Sequence, residues 1–166
     1  ADLPDGFADG VLAFTRDLRK ELPYYESLLT NNPIFRMRTE GVGVISRDAA
    51  AAFGASGPVA RGSGLDFDIR KTEPYEIYDR IEFDVPVYTE GDCFARYRVR
   101  MEEFVQSARI IEQCLRSMPA GEIMTKMPKV FKPPAGDAYS RTESPRGELR
   151  VDMRSNGTPM PERVHI

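Results

Sequence analysis

The stretch Ser56 to Val87, SGPVARGSGLDFDIRKTEPYEIYDRIEFDVPV, combines glycine, proline, aromatic side chains and charge of both signs and is the first place to look for chemistry. Its carboxylates, Asp66, Asp68, Glu73, Glu76, Asp79, Glu82 and Asp84, could supply a general acid and a general base. The same stretch carries Arg61, Arg70, Lys71 and Arg80. Charge of both signs at this density locks an irregular loop with ion pairs more readily than it makes a catalytic dyad. GPVARGSG is rich in glycine, but its spacing fits neither a Walker A loop nor the GxGxxG that opens a helix after a strand. The single histidine, His165, has no second histidine or placed cysteine with which to build a zinc site or a nucleophile–base pair. Cys93 and Cys114 form no CxxC; on one helix they would stand about 30 Å apart, too far to bridge. They read as small buried hydrophobes. No catalytic and no metal-binding residue is therefore expected.

The elements that position this stretch lie on both sides of it. Phe7, Val11, Phe14, Leu18, Leu22, Tyr25 and Leu29 step by three and four, which predicts an amphipathic helix. Pro23 should kink or break it near Lys20 to Leu22, and Asn31-Asn32-Pro33 should end it. Ile34 to Ile45 reads as a turn and a short extended piece. Ser46 is a good cap for a short helix from Arg47 to Phe53. Ile81 to Val87 alternates as a strand does, until Pro86.

Gly91-Asp92 caps the longest helix, Asp92 to Met118. Phe94, Tyr97, Met101, Phe104, Ala108, Ile111, Leu115 and Met118 form a heptad-like seam that predicts a bundle spine. Arg96, Arg100, Glu103 and Ser107 form a second, polar stripe. Glu122 to Gly136 reads as a connecting loop. Ala138 to Thr142, Glu148 to Arg154 and Arg163 to Ile166 read as strands of a small antiparallel sheet, with turns at Ser144–Gly147 and Ser155-Asn156-Gly157. The expected class is α+β, mainly α with a small antiparallel β region. Residues 1–121 make the helical part, with 56–87 as an irregular connector, and 137–166 make the hairpin part.

The 166 residues are one domain's worth of chain. A hydrophobic fraction of 41% and a charged fraction of 30% are those of a soluble globular protein. A net charge of −3 gives no case for nucleic-acid binding. No apolar run approaches the roughly 20 residues that span a bilayer, so any membrane association is expected through partner proteins. The abrupt start and the strand-like ending at Val164-His165-Ile166 suggest a piece of a longer protein, with apolar surface that neighbours normally cover.

The residues resemble a known family along nearly the whole chain. The matching runs include Leu28-Leu29-Thr30-Asn31-Asn32-Pro33-Ile34-Phe35, Ser56-Gly57-Pro58, Arg61-Gly62-Ser63-Gly64, Asp68-Ile69-Arg70-Lys71, Pro74-Tyr75 with Tyr78, and Phe83-Asp84-Val85-Pro86-Val87. They continue through Gly91-Asp92-Cys93, Arg96-Tyr97, Arg100-Met101-Glu102-Glu103, Ile110-Ile111-Glu112-Gln113-Cys114-Leu115 and Pro145-Arg146-Gly147-Glu148-Leu149. In combination they resemble the D-subunit family of respiratory complex I, NADH:quinone oxidoreductase, related to the large subunit of [NiFe] hydrogenases.

The resemblance implies a helix-bundle core of the [NiFe]-hydrogenase large-subunit type. It implies part of a proton-pumping complex in which the D subunit and the iron–sulfur B subunit enclose the quinone (ubiquinone) cavity, with the C subunit and the membrane H subunit as further neighbours. The implied place is peripheral, on the cytoplasmic face of the cell inner membrane, or the matrix side in a mitochondrion. Quinone and NADH belong to the whole complex and the terminal iron–sulfur cluster to a neighbour. The family's quinone-contacting His and Tyr belong to an N-terminal region this chain lacks, so no quinone-binding residue carries over. Two departures stand out. Lys132-Pro133-Pro134-Ala135-Gly136 bridges directly where the family usually has a His-containing helical segment, and Glu162 and His165 replace the usual Tyr and Lys. A component of a membrane-bound hydrogenase, a relative with another electron donor, and a helical interaction module without redox role are the alternatives. Asp68, Arg70, Lys71, Arg96 and Arg100 are expected to tie the central stretch to the long helix as a charge network, with Tyr75, Tyr78 and Arg146 as candidate structural or interface residues beside it.

Overall fold

The computed structural model describes residues 3–122 and 124–166. Ala1 and Asp2 of the turn-like N-terminus and Ile123 of the expected connecting loop lie outside the described residues. Among the described residues, six α-helices are followed by a three-stranded antiparallel sheet of order β1-β2-β3.

α1 runs from Phe7 to Tyr25 and continues into a wider π turn, Glu26–Thr30. It passes through Pro23 without the expected break. Leu22 is buried beside Pro23, and contacts on either side of the proline hold α1 along the long helix. Arg19 Nη2 meets Glu112 Oε2 at 3.3 Å, and the Thr30 and Tyr97 hydroxyls share a hydrogen bond of 2.8 Å. Tertiary packing thus overrides the local cost of the proline, and the irregular backbone appears three residues later as the π turn.

α2, Pro33–Thr39, replaces the expected turn and extended piece. Asn32 caps it by accepting from the Ile34 and Phe35 N–H groups, with Pro33 at the first helical position, where its missing N–H costs nothing. Phe35 then packs edge to face on Tyr97, 4.9 Å between centroids. α3, Arg47–Ala52, begins at Ser46 as its sequence predicts, with Ser46 Oγ accepting from Ala49 N–H at 3.2 Å.

The central stretch is a chain of short elements: α4 (Gly57–Gly62), α5 (Ile69–Thr72) and a 3-10 turn (Tyr78–Arg80). The Ile81–Val87 run is extended but pairs with no strand among the described residues. Glutamine side chains of the long helix take the partner strand's place. Gln113 Oε1 accepts from Glu82 N–H at 2.9 Å and Gln113 Nε2 donates to Glu82 O at 2.7 Å, while Gln106 Oε1 accepts from Asp84 N–H at 3.0 Å. The alternation is that of a strand, but its inward residues Ile81 and Phe83 cluster with Ile110 on a helix.

α6, Cys93–Arg116, is the spine. Asp92 anchors its start with both oxygens: Oδ1 accepts from Ala95 N–H and Oδ2 from Gly41 N–H, each at 2.7 Å. The buried residues of α6 are Ala95, Val99, Ala108 and Ile110. Of the expected seam only Ala108 is fully buried, and Phe104 remains 48% exposed. The reason is that α4 and the 81–87 run cover a neighbouring face of the helix, so the seam is packed only in part.

β1 (Gly136–Ser144) and β2 (Gly147–Ser155) form a hairpin with Pro145-Arg146 at its tip, and β3 (Arg163–His165) adds to β2. The tight turn is therefore the first of the two expected, and Ser155-Asn156-Gly157 instead opens a longer loop. The hairpin tip docks on the start of α4, where Ser56 Oγ accepts from Glu148 N–H at 2.9 Å.

Candidate functional site

Four elements meet at Arg61. α4 supplies the arginine, α5 and its cap supply Asp68 and Arg70, α6 supplies Glu103, and β1 supplies Glu143. Small residues surround Arg61 on α4. A Cβ on Gly62 would stand 3.0 Å from Arg96 Cγ, so the glycine lets α4 lie directly on α6. The guanidinium is thereby sealed in, with 1% of its side chain exposed.

Its nitrogens are shared among several acceptors. Nη1 donates to Phe67 O at 3.1 Å and reaches Asp68 Oδ2 at 3.5 Å. Nη2 donates to Glu143 Oε1 at 3.0 Å and to Glu103 Oε1. Nε has no partner. Asp68 caps α5 through Arg70 N–H at 2.9 Å and is gripped by the Arg70 side chain at 2.9 Å and 2.6 Å. Burial alone would raise the Asp68 carboxyl, but the Arg70 bond and charge, helped by Arg61, hold it below the ordinary carboxylate value. Glu143 moves the other way. Its burial pushes the carboxyl up, with repulsion from Asp68 adding to this, and the two arginines offset only part of the rise.

An aromatic ladder backs the cluster. Tyr75, Tyr78 and Phe83 stack edge to face at 5.0 Å and 6.1 Å. The Arg70 guanidinium lies 4.8 Å and the Lys71 ammonium 4.1 Å from the Phe83 centroid. The Tyr75 hydroxyl accepts from Glu143 N–H at 3.0 Å, which links this ladder to the hairpin. A cleft of about 600 Å³ opens over the cluster, with Arg100, Ser107 and Arg146 at its walls.

Of the residues singled out in the sequence, Asp68, Arg70, Lys71, Tyr75 and Tyr78 come together here, and Arg146 lines the cleft. Arg96 and Arg100 make no ion pair among the described residues. Arg96 donates to Gly91 O at 2.7 Å and Gly43 O at 2.9 Å, and Arg100 donates to Arg96 O at 2.9 Å. They bind backbone carbonyls because α4 brings Arg61, not a carboxylate, to this face of α6. Arg61, Glu103 and Glu143 are the partners that sequence reasoning left out of the network. The run of Gly57, Ala60, Gly62 and Ser63 around Arg61 was the available signal, since a basic residue among small ones sits where backbones approach closely. Glu143 gave none, being one polar residue in an alternating polar strand. The arrangement binds and orients charge, and no group of three or more potential metal ligands occurs among the described residues.

The helical spine, its layered short helices and the appended hairpin define the class of [NiFe]-hydrogenase-like large subunits. A solved structure described as the membrane-bound sulfane sulfur reductase, an archaeal respiratory membrane complex, contains a similar chain. It superposes with a TM-score of 0.92 at 35% identity, over 99% of this chain and 46% of that one. The family described as the respiratory-chain NADH dehydrogenase 49 Kd subunit matches residues 1–133 and 127–166, and the chain belongs to it. The D subunit of NADH-quinone oxidoreductase from Desulforamulus reducens is 44% identical over 165 residues, and that from Dehalococcoides mccartyi 47%. The alignment in each case covers 99% of this chain and 45% of the relative, so the chain spans just under half the length of these relatives.

Proposed function

We propose that this chain is part of a D-type subunit that works in a proton-pumping NADH:quinone oxidoreductase. The observation that carries the reading is the family match along the whole chain, together with identities of 44% and 47% to proteins of that name. In this reading the segment is scaffold. It shapes the quinone cavity and docks the iron–sulfur B subunit, with the C and H subunits as further neighbours, while the quinone-contacting residues come from the other half of the protein. The apolar side chains left exposed on α1 and α6, among them Phe14, Phe104 and Ile111, suit a body that neighbours cover. No described helix is long and apolar enough to cross a membrane, which suits a peripheral position reached through partners.

The test is expression of the full-length protein with an affinity tag in its own host. Co-purification with an iron–sulfur protein and NADH-driven quinone reduction support the reading. A tagged protein that carries no iron–sulfur partner defeats it and leaves a helical interaction module.

A second reading has its own support. The similar chain in the sulfane sulfur reductase complex belongs to a system named for a different acceptor. A relative with another donor or acceptor, or a membrane-bound hydrogenase component, is distinguished by the sequence on either side of this stretch, where paired CxxC motifs would indicate nickel. Purified complex that reduces quinone from a donor other than NADH would establish it.

A further inference from the structure

The charge around Arg61 does not balance. Two guanidiniums, Arg61 and Arg70, face three carboxylates, Asp68, Glu103 and Glu143. Asp68 is saturated, with Arg70 on both oxygens. Glu103 sits nearer the solvent, 18% exposed, and shares Arg61 Nη2. Glu143 has the poorest share. Its Oε1 takes one bond from that same nitrogen at 3.0 Å, and its Oε2 is fully enclosed with no hydrogen-bond partner among the described residues.

We propose that Glu143 is a proton-binding site, held as the neutral carboxylic acid in the folded protein with the proton on Oε2. An enclosed carboxylate oxygen with no donor loses the hydration of a full charge, whereas a neutral O–H in the same place loses one ordinary hydrogen bond. The exchange is with water: the carboxylate takes a proton to become the acid, and the cluster goes from one excess negative charge to none. The direction in which burial moves this carboxyl agrees.

The charged groups around Glu143 leave it this role. Arg61 comes from α4, and Asp68 and Arg70 from α5 and its cap. Glu103 and the exposed Arg100 come from α6, and Arg146 from the hairpin tip. Arg100 and Arg146 line the cleft without bonding Glu143. On the hairpin, Arg141 is engaged with Glu148 and with Glu73. The Tyr75 hydroxyl faces the Glu143 backbone, and Tyr78 stacks behind Tyr75. The cleft gives water a route to the cluster, and hairpin docking keeps Oε2 enclosed. The inference concerns the cluster alone and stands whatever the electron donor proves to be.

The test uses the full-length protein in its assembled complex. Infrared difference spectra of wild type against Glu143→Gln read the carbonyl stretch of a protonated carboxyl. The expected result is an acid band at neutral pH in wild type, absent from the variant and fading as pH rises. Thermal melting gives a second readout. Glutamine copies the neutral acid, so Glu143→Gln should melt at or above wild type at neutral pH, with the gap widening at higher pH. A paired carboxylate would show no acid band and a variant melting below wild type. That outcome, or failure of Glu143→Gln to assemble, overturns the proposal. The band decides where the two readouts disagree.

Discussion

The backbones of Gly57 and Gly147 are in contact, and no side chain fits between them. A Cβ on Gly57 would stand 2.4 Å from Gly147 Cα and 2.7 Å from Arg146 O, and one on Gly147 would stand 2.5 Å from Ser56 Oγ. Both residues have positive φ, 60° and 131°, where a side chain is strained in any case. Gly147→Ala is therefore expected to lift the hairpin from α4. Limited proteolysis of the full-length protein should cut faster around residues 117–135 and 156–162, with helical circular dichroism retained. Unchanged proteolysis would show that the backbone contact does not hold the hairpin.

Arg61→Met should be among the most damaging single changes. It leaves Asp68, Glu103 and Glu143 facing each other with Arg70 alone, and breaking a buried ion pair from one side costs about 3–5 kcal/mol. Arg61→Lys should recover little of this, because a lysine ammonium cannot fork between Phe67 O, Asp68, Glu103 and Glu143. Urea unfolding of the full-length protein measures both.

Asp68 gives stability a dependence on acid pH. Its folded carboxyl lies below the ordinary value of 3.8, so as pH falls the unfolded chain takes the proton first. The contribution is fully present above that value and is lost as pH drops through the folded one. Melting curves taken from about pH 6 to about pH 2 should fall less steeply for Asp68→Asn than for wild type. The variant should also start lower at neutral pH, where the grip of Arg70 is weakened.

Asp92→Ala removes the cap of α6 and the tie to Gly41 together. The cap is worth about 0.5–2 kcal/mol and the second bond about 0.5–1.5 kcal/mol. Amide exchange at Ala95 and Gly41 should accelerate in Asp92→Ala. Asp92→Asn keeps an oxygen for Ala95 and should lie between alanine and wild type.

What the sequence made legible was periodic or punctuated. The three- and four-residue steps of α1 and α6, the Ser46 and Asp92 caps, and the turn at Ser144–Gly147 between β1 and β2 all reach the fold, because each depends on near neighbours in the chain. The misses share a different cause. Pro23 is absorbed because contacts between α1 and α6 outweigh a local defect. Ile81–Val87 alternates like a strand, yet its hydrogen-bond partners are glutamine amides on a helix, which no period announces. Arg61 meets Glu143 from 82 residues away in the chain, so neither residue's local pattern points to the other. Even the α6 seam, regular as it is, told which residues share a stripe and not which stripe α4 would cover.

The connector between the spine and the hairpin has a further consequence. The bonds that seat the hairpin on the helical part run from Ser56, Arg61, Glu73 and Tyr75 to Glu148, Glu143 and Arg141, whereas the described residues between Arg116 and Gly136 meet the hairpin through Pro133 O, which accepts from Ser155 Oγ at 3.2 Å. The family match divides within this tether into two parts that overlap at residues 127–133. Docking that rests mainly on side chains of the helical part leaves the length of the tether free to change without disturbing the joint on either side.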